Sequence, residues 1–500
     1  MSLRLNRKSS NVEMTPEEFR KAGHEIVDKI TEFLESLPVK PVAPRKTLKE
    51  MRTILGNSSL PTKGTDSGKL LNEAAELLFN YSTFNGHPKF WGYITSSATP
   101  IGALADLLAA AVNPNVGAGN LSLAATEIEA QTIRWIAEMI GFPTDCGGIM
   151  VSGGNMANFV GFLAARKAKA DWNIREEGLN KKPLIIYVSS ETHTWIQKAA
   201  DLFGMGTNSI RWIEVDEKQR MKINDLKKKI KFDKESGNYP FIVVGNAGTV
   251  GTGATDPLEE ISSVCKENNL WFHVDGAYGS VAAVLPNASK DLKAINLADS
   301  IALDPHKWLY APLEAGCTLV RKKEFMLDAF SYHPEYYRFE GDENEEEKPI
   351  NFYEFGLQNS RGFRALKVWL ALKQAGKNGY IKMITEDIEL AAHLFNLISE
   401  ETELEAVSNN LSITTFRYIP DDLKEQKDQK LEYLNELNEE LLDRLQKSGE
   451  VYLSNAVLDG KFVLRVCIVN FRTTKLDIEA LPDIVKNLGK QVDQEKRISK

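Results

Sequence analysis

The stretch SIALDPHKWLYAP, residues 300–312, places Lys307 beside the apolar side chains Trp308, Leu309 and Tyr310, soon after a short apolar run. Burying an ammonium group is costly and favours the neutral, nucleophilic amine. A lysine can also extend its charged end to water along an apolar stem. This stretch alone therefore leaves Lys307 open between a structural and a chemical role.

The chain around this stretch alternates helical segments with short apolar runs, from about residue 86 to residue 376. The runs are LIIYVSS (184–190), FIVVGNAG (241–248), LWFHVDGAY (270–278), SIALDP (300–305) and GCTLVRK (316–322). This alternation predicts an α/β fold with a largely parallel sheet covered on both faces. Ligands bind at the carboxyl ends of such strands, which is where His193, the 248–251 turn, Asp275 and Lys307 fall.

The two ends of the chain differ from this central part. Near the N-terminus, Thr15 and Glu18 have the spacing of a capping box, which predicts that a helix begins there. Its apolar residues at helical spacing predict an arm that packs on something, such as a second subunit: Phe19, Ile26, Ile30, Phe33 and Leu37. Near the C-terminus, two strand-like runs joined by Asp459-Gly460 predict a hairpin in a small α+β domain. We therefore expect a helical arm with its linker (1–85), a large α/β domain (86–376) and a small domain (377–500).

The composition limits the classes of function. An apolar fraction of 43% with 26% charged residues is typical of a soluble globular protein, and a formal net charge of −8 disfavours nucleic acid and anionic membranes as partners. The four cysteines lie far apart, which predicts neither a metal site nor a disulfide framework. No signal peptide or membrane span is expected, so the sequence favours a cytoplasmic enzyme.

Three further positions can carry chemistry, although each also has a structural explanation. Asp275 follows a buried run and either caps a turn or serves a function. Gly153 and Gly154, before a helix, either form a simple turn or let backbone N–H groups bind a phosphate. His193 is either a helix cap or a core residue, or it presents a flat ring. Together with Lys307 they match pyridoxal phosphate, which needs a phosphate site, a Schiff-base lysine and a carboxylate on its pyridinium nitrogen.

Several blocks of sequence, in this order, resemble one enzyme family from about residue 15 to about residue 480. They include HPKFWGYITSSATP (87–100), GGIMVSGGNMANFVGFLAAR (147–166), AGTVGTGATDPLEEI (247–261), WFHVDGAYG (271–279), DPHKWL (304–309) and SRGFRALKVWLAL (360–372). The chain is similar to the group II pyridoxal-phosphate decarboxylases, typified by aromatic-L-amino-acid decarboxylase. The resemblance implies a fold-type-I, aspartate-aminotransferase-like fold: a mostly parallel seven-stranded sheet with a small C-terminal α+β domain. It also implies a homodimer with the active site at or near the subunit interface.

The resemblance further implies roles for matching residues. Lys307 would bind the cofactor covalently, and Asp275 would pair with the pyridinium nitrogen. His193 would stack on one face of the ring and Ala277 would lie against the other, while Tyr336 on a mobile loop would protonate Cα after carbon dioxide leaves. The remaining positions that match the cofactor site are Gly153, Gly154, Asn155, Thr249, Asp304 and His306. The positions that match the substrate pocket, which can come from across the dimer, are Tyr93, Ile94, Ser96 and Val250.

Three residues depart from the family pattern. Asn155 stands where many relatives have serine, Asp304 where the animal enzymes have asparagine, and Val250 replaces the second threonine of a frequent Gly-Thr-Thr. The sequence leaves open whether Asn155 and Asp304 contact the phosphate through side chain or backbone.

The predicted reaction is the pyridoxal-phosphate-dependent α-decarboxylation of an L-amino acid to the amine and carbon dioxide. The aromatic residues Phe90, Trp91 and Tyr93 favour an aromatic substrate, although the family also includes enzymes for acidic amino acids and histidine. The alternatives are an aldehyde-forming decarboxylation–deamination, which Tyr336 disfavours because such relatives can carry phenylalanine there, and a carbon–carbon lyase. A protein that keeps the fold without turnover is a further class, which the intact set of Lys307 and its partners disfavours.

Overall fold

The structure is built from helices and short strands that alternate along most of the chain. The computed structural model describes residues 12–44, 46–179, 183–332 and 349–498. The helices are α1 (Pro16–Ser36), α2 (Leu48–Leu55), α3 (Ser67–Tyr81), α4 (Pro100–Val112), α5 (Leu123–Ile140), α6 (Gly154–Lys169), α7 (Ile174–Glu177), α8 (Trp195–Leu202), α9 (Ile223–Glu235), α10 (Leu258–Asn268), α11 (Lys290–Lys293), α12 (Glu324–Phe330), α13 (Ala365–Glu400), α14 (Leu431–Ser448), α15 (Lys475–Glu479) and α16 (Leu481–Ile498). The strands are β1 (Gly147–Val151), β2 (Leu184–Ser189), β3 (Ile210–Ile213), β4 (Tyr239–Asn246), β5 (Trp271–Asp275), β6 (Ser300–Leu303), β7 (Gly316–Val320), β8 (Leu404–Asn410), β9 (Ile413–Tyr418), β10 (Ser454–Leu458) and β11 (Lys461–Cys467). Within these described ranges no helix is long and apolar enough to cross a membrane.

The large sheet contains seven strands in the order β1-β7-β6-β5-β4-β2-β3. The pairs from β6 to β3 are parallel, whereas β7 runs antiparallel to β1 and to β6. Every residue of β2, β5 and β6 is buried, as expected for strands with helices on both faces of the sheet. The predicted α/β fold with a mostly parallel seven-stranded sheet is confirmed.

The second sheet is antiparallel and has the order β10-β11-β9-β8. Asp459 and Gly460 join β10 to β11 with φ angles of 49° and 78°, as a tight hairpin turn with two left-handed residues requires. The predicted hairpin is therefore confirmed. The end of β8 contacts the loop that follows β4, where Asn410 Nδ2 donates to the carbonyl oxygen of Thr252 at 3.1 Å.

Two clusters of buried apolar side chains stabilise these sheets. The first surrounds the seven-stranded sheet, and the second consists of Trp91 together with residues between Ala391 and Val492. Trp91 is fully buried, and its Nε1 donates to Thr473 Oγ1 at 3.1 Å. Helix α13 contributes to both clusters and is interrupted at Gly376, whose φ and ψ are 63° and 169°. The division of the chain at residue 376 remains a prediction.

The N-terminal helix α1 begins as its sequence predicts. The N–H of Glu18 donates to Thr15 Oγ1 at 3.2 Å, and the N–H of Thr15 donates to the Glu18 carboxylate at 2.8 Å. Phe33 of α1 stacks on Phe79 of α3 with 4.5 Å between ring centroids. Phe19 is nevertheless 58% exposed, so this chain alone covers only part of the apolar face of α1.

His273, in the middle strand β5, makes stability depend on pH. Its Nδ1 lies 2.7 Å from Ser300 Oγ and its Nε2 lies 2.8 Å from Asn158 Oδ1, with the ring fully buried. Burial lowers the pKa of His273 to about 4, although nearby Asp275 favours the charged ring. In the unfolded chain a histidine titrates near pH 6.5, so between pH 6.5 and pH 4 the unfolded state binds more protons than the folded state.

We therefore expect His273 to lower the free energy of unfolding by about 3 kcal/mol as the pH falls from 6.5 to 4. Above pH 6.5 the ring of His273 is neutral in both the folded and the unfolded state, so this loss of stability is absent there. Urea unfolding across this range would compare the wild type with His273→Gln, which should show a flatter profile. Parallel profiles for the two proteins would contradict the assignment.

Candidate active site

The carboxyl ends of three neighbouring strands form one edge of the large sheet. The final residues of β4 and β5, Asn246 and Asp275, are paired in register, and β6 ends beside them at Leu303. A cavity of about 110 Å³ opens there. Its lining residues are Ile94, Gly154, Asn155, Asn158, His193, Asn246, Gly248, Thr249, Val250, Asp275, Ala277, Tyr278, Asp304 and Lys307.

Lys307 lies in a tight turn that follows β6. Its N–H donates to the carbonyl oxygen of Asp304 at 2.8 Å, and its own carbonyl accepts from the Tyr310 N–H at 3.1 Å. The side chain is 19% exposed, and its Nζ lies 3.1 Å from Asp304 Oδ2. Trp308 and Tyr310 are fully buried. The structure thus places the amine at the wall of the cavity, within a segment that is otherwise apolar and buried.

Asp275 is held by two neutral donors. Trp195 Nε1 donates to its Oδ2 at 2.7 Å, and the N–H of Ala277 donates to its Oδ1 at 3.2 Å. The residue is 7% exposed and lines the cavity. A carboxylate has about four lone-pair directions, so these two bonds leave capacity for a further donor in the cavity.

His193 is oriented by the backbone of the following helix. The N–H of Trp195 donates to His193 Nδ1 at 3.3 Å, so the remaining proton of the neutral ring lies on Nε2. Burial lowers the pKa of His193, and the opposite effect of Asp275 is smaller. The ring is therefore neutral at physiological pH, and it lines the same cavity as Ala277.

The start of helix α6 forms a second wall of the cavity. Gly153 has a φ of 117°, which favours glycine, and it provides no side chain to cap the helix. A Cβ on Gly154 would lie 2.6 Å from Asp304 Oδ2, so only glycine allows this approach. The first N–H groups of a helix lack partners within it and attract anions. These glycines thus form a backbone surface suited to a phosphate.

Asp304 is the residue whose contact with a phosphate at this surface is hardest to assign. Its N–H donates to the carbonyl oxygen of Ala277 at 3.1 Å, so the backbone donor is already in use. Its side chain is buried, with Oδ2 near Lys307 and Oδ1 without a hydrogen-bond partner. The sequence leaves open whether Asp304 contacts the phosphate through its side chain or its backbone. The backbone contact is the less favourable of the two, because the N–H already has a partner.

Ten of the sequence-predicted residues line the cavity, and four others lie around it. Ser96 Oγ donates to the carbonyl oxygen of His306 at 2.8 Å, and His306 Nδ1 lies 2.7 Å from the carbonyl oxygen of Ala315. Gly153 precedes the lining residue Gly154. Tyr93 is 57% exposed and has a left-handed φ of 55°. Tyr336 lies outside the described residues.

Three lining residues do not emerge from the sequence argument, Asn158, Asn246 and Tyr278, while Gly248 emerges only as the first residue of the 248–251 turn. Asn246 has a recognisable signal, because it is the polar end of a buried strand, as Asp275 is. Asn158 lies one helical turn after Asn155, which is a weaker signal. No local signal connects Trp195 to Asp275, since 80 residues separate them.

The comparison with protein families decides the class. A family model described as the pyridoxal-dependent decarboxylase conserved domain matches residues 49–419. The chain belongs to this family.

Individual relatives of this decarboxylase are similar over nearly their whole length. The aromatic-L-amino-acid decarboxylase of Bacillus atrophaeus is 35% identical over 485 residues, which cover 97% of this chain and 98% of the relative. The crystal structure of Oryza sativa TDC with PLP and tryptamine has a TM-score of 0.88 at 25% identity, covering 97% of this chain and 99% of that one. The crystal structure of Rhodiola rosea 4-hydroxyphenylacetaldehyde synthase has a TM-score of 0.84 at 26% identity, with coverages of 96% and 99%. The predicted family, fold type and carboxy-lyase class are confirmed.

Pyridoxal phosphate is the cofactor of this decarboxylase, and the cavity fits it. The uncapped glycine surface at α6 suits the phosphate, and the amine of Lys307 suits the aldehyde. Asp275, whose two donors are neutral, retains capacity for a protonated ring nitrogen. When bound, the cofactor supplies an electron sink for the electron pair left at the substrate Cα.

Proposed function

We propose that this decarboxylase converts an aromatic L-amino acid to its amine and carbon dioxide. The observation that carries the substrate class is that the apolar side chains of Ile94 and Val250 and the aromatic side chain of Tyr278 line the cavity that Lys307 also lines. An aromatic side chain can pack on these apolar and aromatic side chains, whereas a charged one that is placed against them loses hydration. The similarity to the Bacillus aromatic-L-amino-acid decarboxylase supports the same class.

The proposed roles are those that the family resemblance implies, and the cavity residues support them by their positions. The amine of Lys307 bonds to the cofactor, and the carboxylate of Asp275 holds a proton on the ring nitrogen. The neutral ring of His193 would stack on one face of the cofactor, and the small side chain of Ala277 would lie against the other. Further cofactor contacts are assigned to Gly153, Gly154, Asn155, Thr249, Asp304 and His306, and substrate contacts to Tyr93, Ile94, Ser96 and Val250.

A panel of the twenty standard amino acids and Dopa, scored for amine product by mass spectrometry, tests this function. We expect amine from one or more of Trp, Tyr, Phe and Dopa. Amine from acidic amino acids or histidine alone would contradict the aromatic assignment. A wild-type enzyme that gives mainly aldehyde would favour the reaction of the Rhodiola relative instead.

Tyr336 is proposed as the donor of the proton that Cα takes after carbon dioxide leaves; this role rests on the sequence alone. In Tyr336→Phe the hydroxyl is absent, so protonation of Cα is slower and the electron-rich carbon can react with oxygen. We expect less amine, with aldehyde, ammonia and hydrogen peroxide in its place. Product analysis under air measures this, and an unchanged amine yield without peroxide would remove Tyr336 from the mechanism.

We also propose that the enzyme is a cytoplasmic homodimer with its active site at or near the interface. Leu104, Leu107 and Leu108 of α4 are each more than half exposed, and Phe19 of α1 is exposed as well, so a second copy could bury these apolar faces. The unpaired thiols of all four cysteines fit a reducing compartment. Analytical ultracentrifugation measures the assembly, and a monomer at micromolar concentration would contradict it.

A further inference from the structure

Asp387 is a buried carboxyl group of helix α13 that contacts the segment carrying Lys307 from outside the cavity. Trp308 Nε1 donates to Asp387 Oδ2 at 2.8 Å, and Tyr310 Oη donates to the same oxygen at 2.6 Å. These donors are the first and third residues after Lys307. Asp387 Oδ2 therefore accepts hydrogen bonds from two of the three side chains that directly follow Lys307.

The same helix also holds the backbone of this segment. Tyr380 Oη donates to the carbonyl oxygen of Leu309 at 3.0 Å. Tyr380 and Asp387 are seven residues apart, about two helical turns, so both lie on one face of α13. Tyr310 has a left-handed φ of 54°, which is unfavourable for a residue with a Cβ and persists only when surrounding contacts fix it. The hydrogen bond to Asp387 is one of these contacts.

Trp308 is also fixed from the side of the cavity. Its ring stacks on that of Tyr278 with 4.7 Å between centroids and 15° between planes. Tyr278 lines the cavity, and its Oη lies 2.6 Å from Ser412 Oγ. The indole is thus held at its face by Tyr278 and at its N–H by Asp387, which fixes the residue next to Lys307 in both position and rotation.

The chemistry of Asp387 is unusual for a purely structural contact. The residue is 3% exposed, and burial raises its pKa to about 7, while hydrogen bonds from Tyr310, Trp308 and the Asn470 backbone lower it. All these donors are neutral. A buried carboxyl group bound only by neutral donors is a costly way to join two elements, which indicates a role beyond packing.

We propose that Asp387 is a positioning residue for Lys307: by fixing Trp308 and Tyr310, it sets where the lysine amine meets the cofactor. This inference rests on the proposed role of Lys307 as the cofactor lysine. The effect on chemistry is indirect, because Asp387 does not line the cavity. Loss of the Asp387 carboxylate should make the segment from Lys307 to Tyr310 more mobile, even in a variant that folds.

The experiment compares Asp387→Ala and Asp387→Asn with Asp233→Asn in the holoenzyme. Asp233 is the control, because it is also a buried carboxylate that accepts from a buried tyrosine, with Tyr187 Oη at 2.9 Å, and it does not line the cavity; unlike Asp387, it also pairs with Arg211 at 2.7 Å. Three quantities are measured: the urea midpoint, the rate of pyridoxal phosphate release on dilution, and the pH midpoint of the absorption band of the bound cofactor.

We expect Asp387→Ala to release the cofactor about tenfold faster, as the loss of hydrogen bonds to a buried carboxyl group suggests, and to shift the pH midpoint of the band. Asp387→Asn keeps one oxygen acceptor and should fall between Asp387→Ala and the wild type. Asp233→Asn should lower the urea midpoint alone. Should Asp387→Ala not fold, Tyr310→Phe removes one donor while keeping its ring, and it should show the same changes at smaller size.

Two outcomes separate this inference from the proposed function. If the Asp387 and Tyr310 variants lower only the urea midpoint, with release rate and band unchanged, Asp387 is structural and the inference is wrong. If borohydride reduction of the wild type labels a lysine other than Lys307, the proposed role of Lys307 fails, and the inference with it.

Discussion

Lys307→Ala is expected to give a folded protein that no longer binds pyridoxal phosphate covalently and that decarboxylates at least about a thousandfold more slowly. The side chain is partly exposed, so its removal costs little packing, while the loss of its ion pair with the buried Asp304 lowers the urea midpoint without unfolding the protein. What disappears is the amine that bonds to the aldehyde. The wild type should be yellow, and the variant should lose its colour on dialysis.

Borohydride reduction followed by peptide mapping tests this prediction directly. The wild type should carry the reduced cofactor on Lys307, and the variant should carry none. Lys367→Ala is a suitable control, because Lys367 is a buried lysine that pairs with an aspartate, Asp106, at 3.1 Å. Covalent label or near-normal turnover in Lys307→Ala would show that another residue holds the cofactor.

Asp275→Asn should keep the fold and bind the cofactor, yet lower the decarboxylation rate by about a hundred- to a thousandfold. The asparagine retains one oxygen, which can still accept from Trp195 or Ala277. It carries no negative charge, so it cannot hold a proton on the ring nitrogen, and the cofactor becomes a weaker electron sink.

Single-turnover rates with saturating cofactor separate this effect from cofactor loss. The absorbance of bound cofactor should match that of the wild type, and Asp233→Asn should keep a normal rate. Normal single-turnover rates in Asp275→Asn with the cofactor bound would show that the carboxylate does not pair with the ring nitrogen.

The strand ends at the candidate active site could be predicted because each combines an apolar run with a polar residue that is unfavourable inside a sheet. This reasoning identifies Asp275, and it would also have identified Asn246. Lys307 is recognisable for a related reason, because a lysine within an apolar segment either extends its charged end to water or has a chemical role. The apolar or polar character of each residue is a local property, which the sequence displays directly.

Contacts between distant residues could not be predicted in this way. In the sequence, Trp195 is an ordinary tryptophan and Asp387 an ordinary polar residue of a helix. Only the folded structure shows that Trp195 contacts Asp275 and that Asp387 contacts Trp308. Strand β8 escapes notice because its sequence LEAVSNN is largely polar and only its first residue is buried. Strand β3 has four residues and lies at the sheet edge, where a short apolar run carries little signal.

The place of Trp91 in the second cluster has a consequence for biosynthesis. Its hydrogen-bond partner Thr473 follows 382 residues later, so at ribosomal speeds of roughly 5–20 residues per second the tryptophan emerges about 20 to 75 s before that partner exists. Until then this large apolar side chain lacks the environment that buries it in the finished protein. The nascent chain therefore exposes an apolar side chain of the kind that chaperones bind, and dividing the chain anywhere between residues 91 and 391 would place Trp91 on a different fragment from the rest of its cluster.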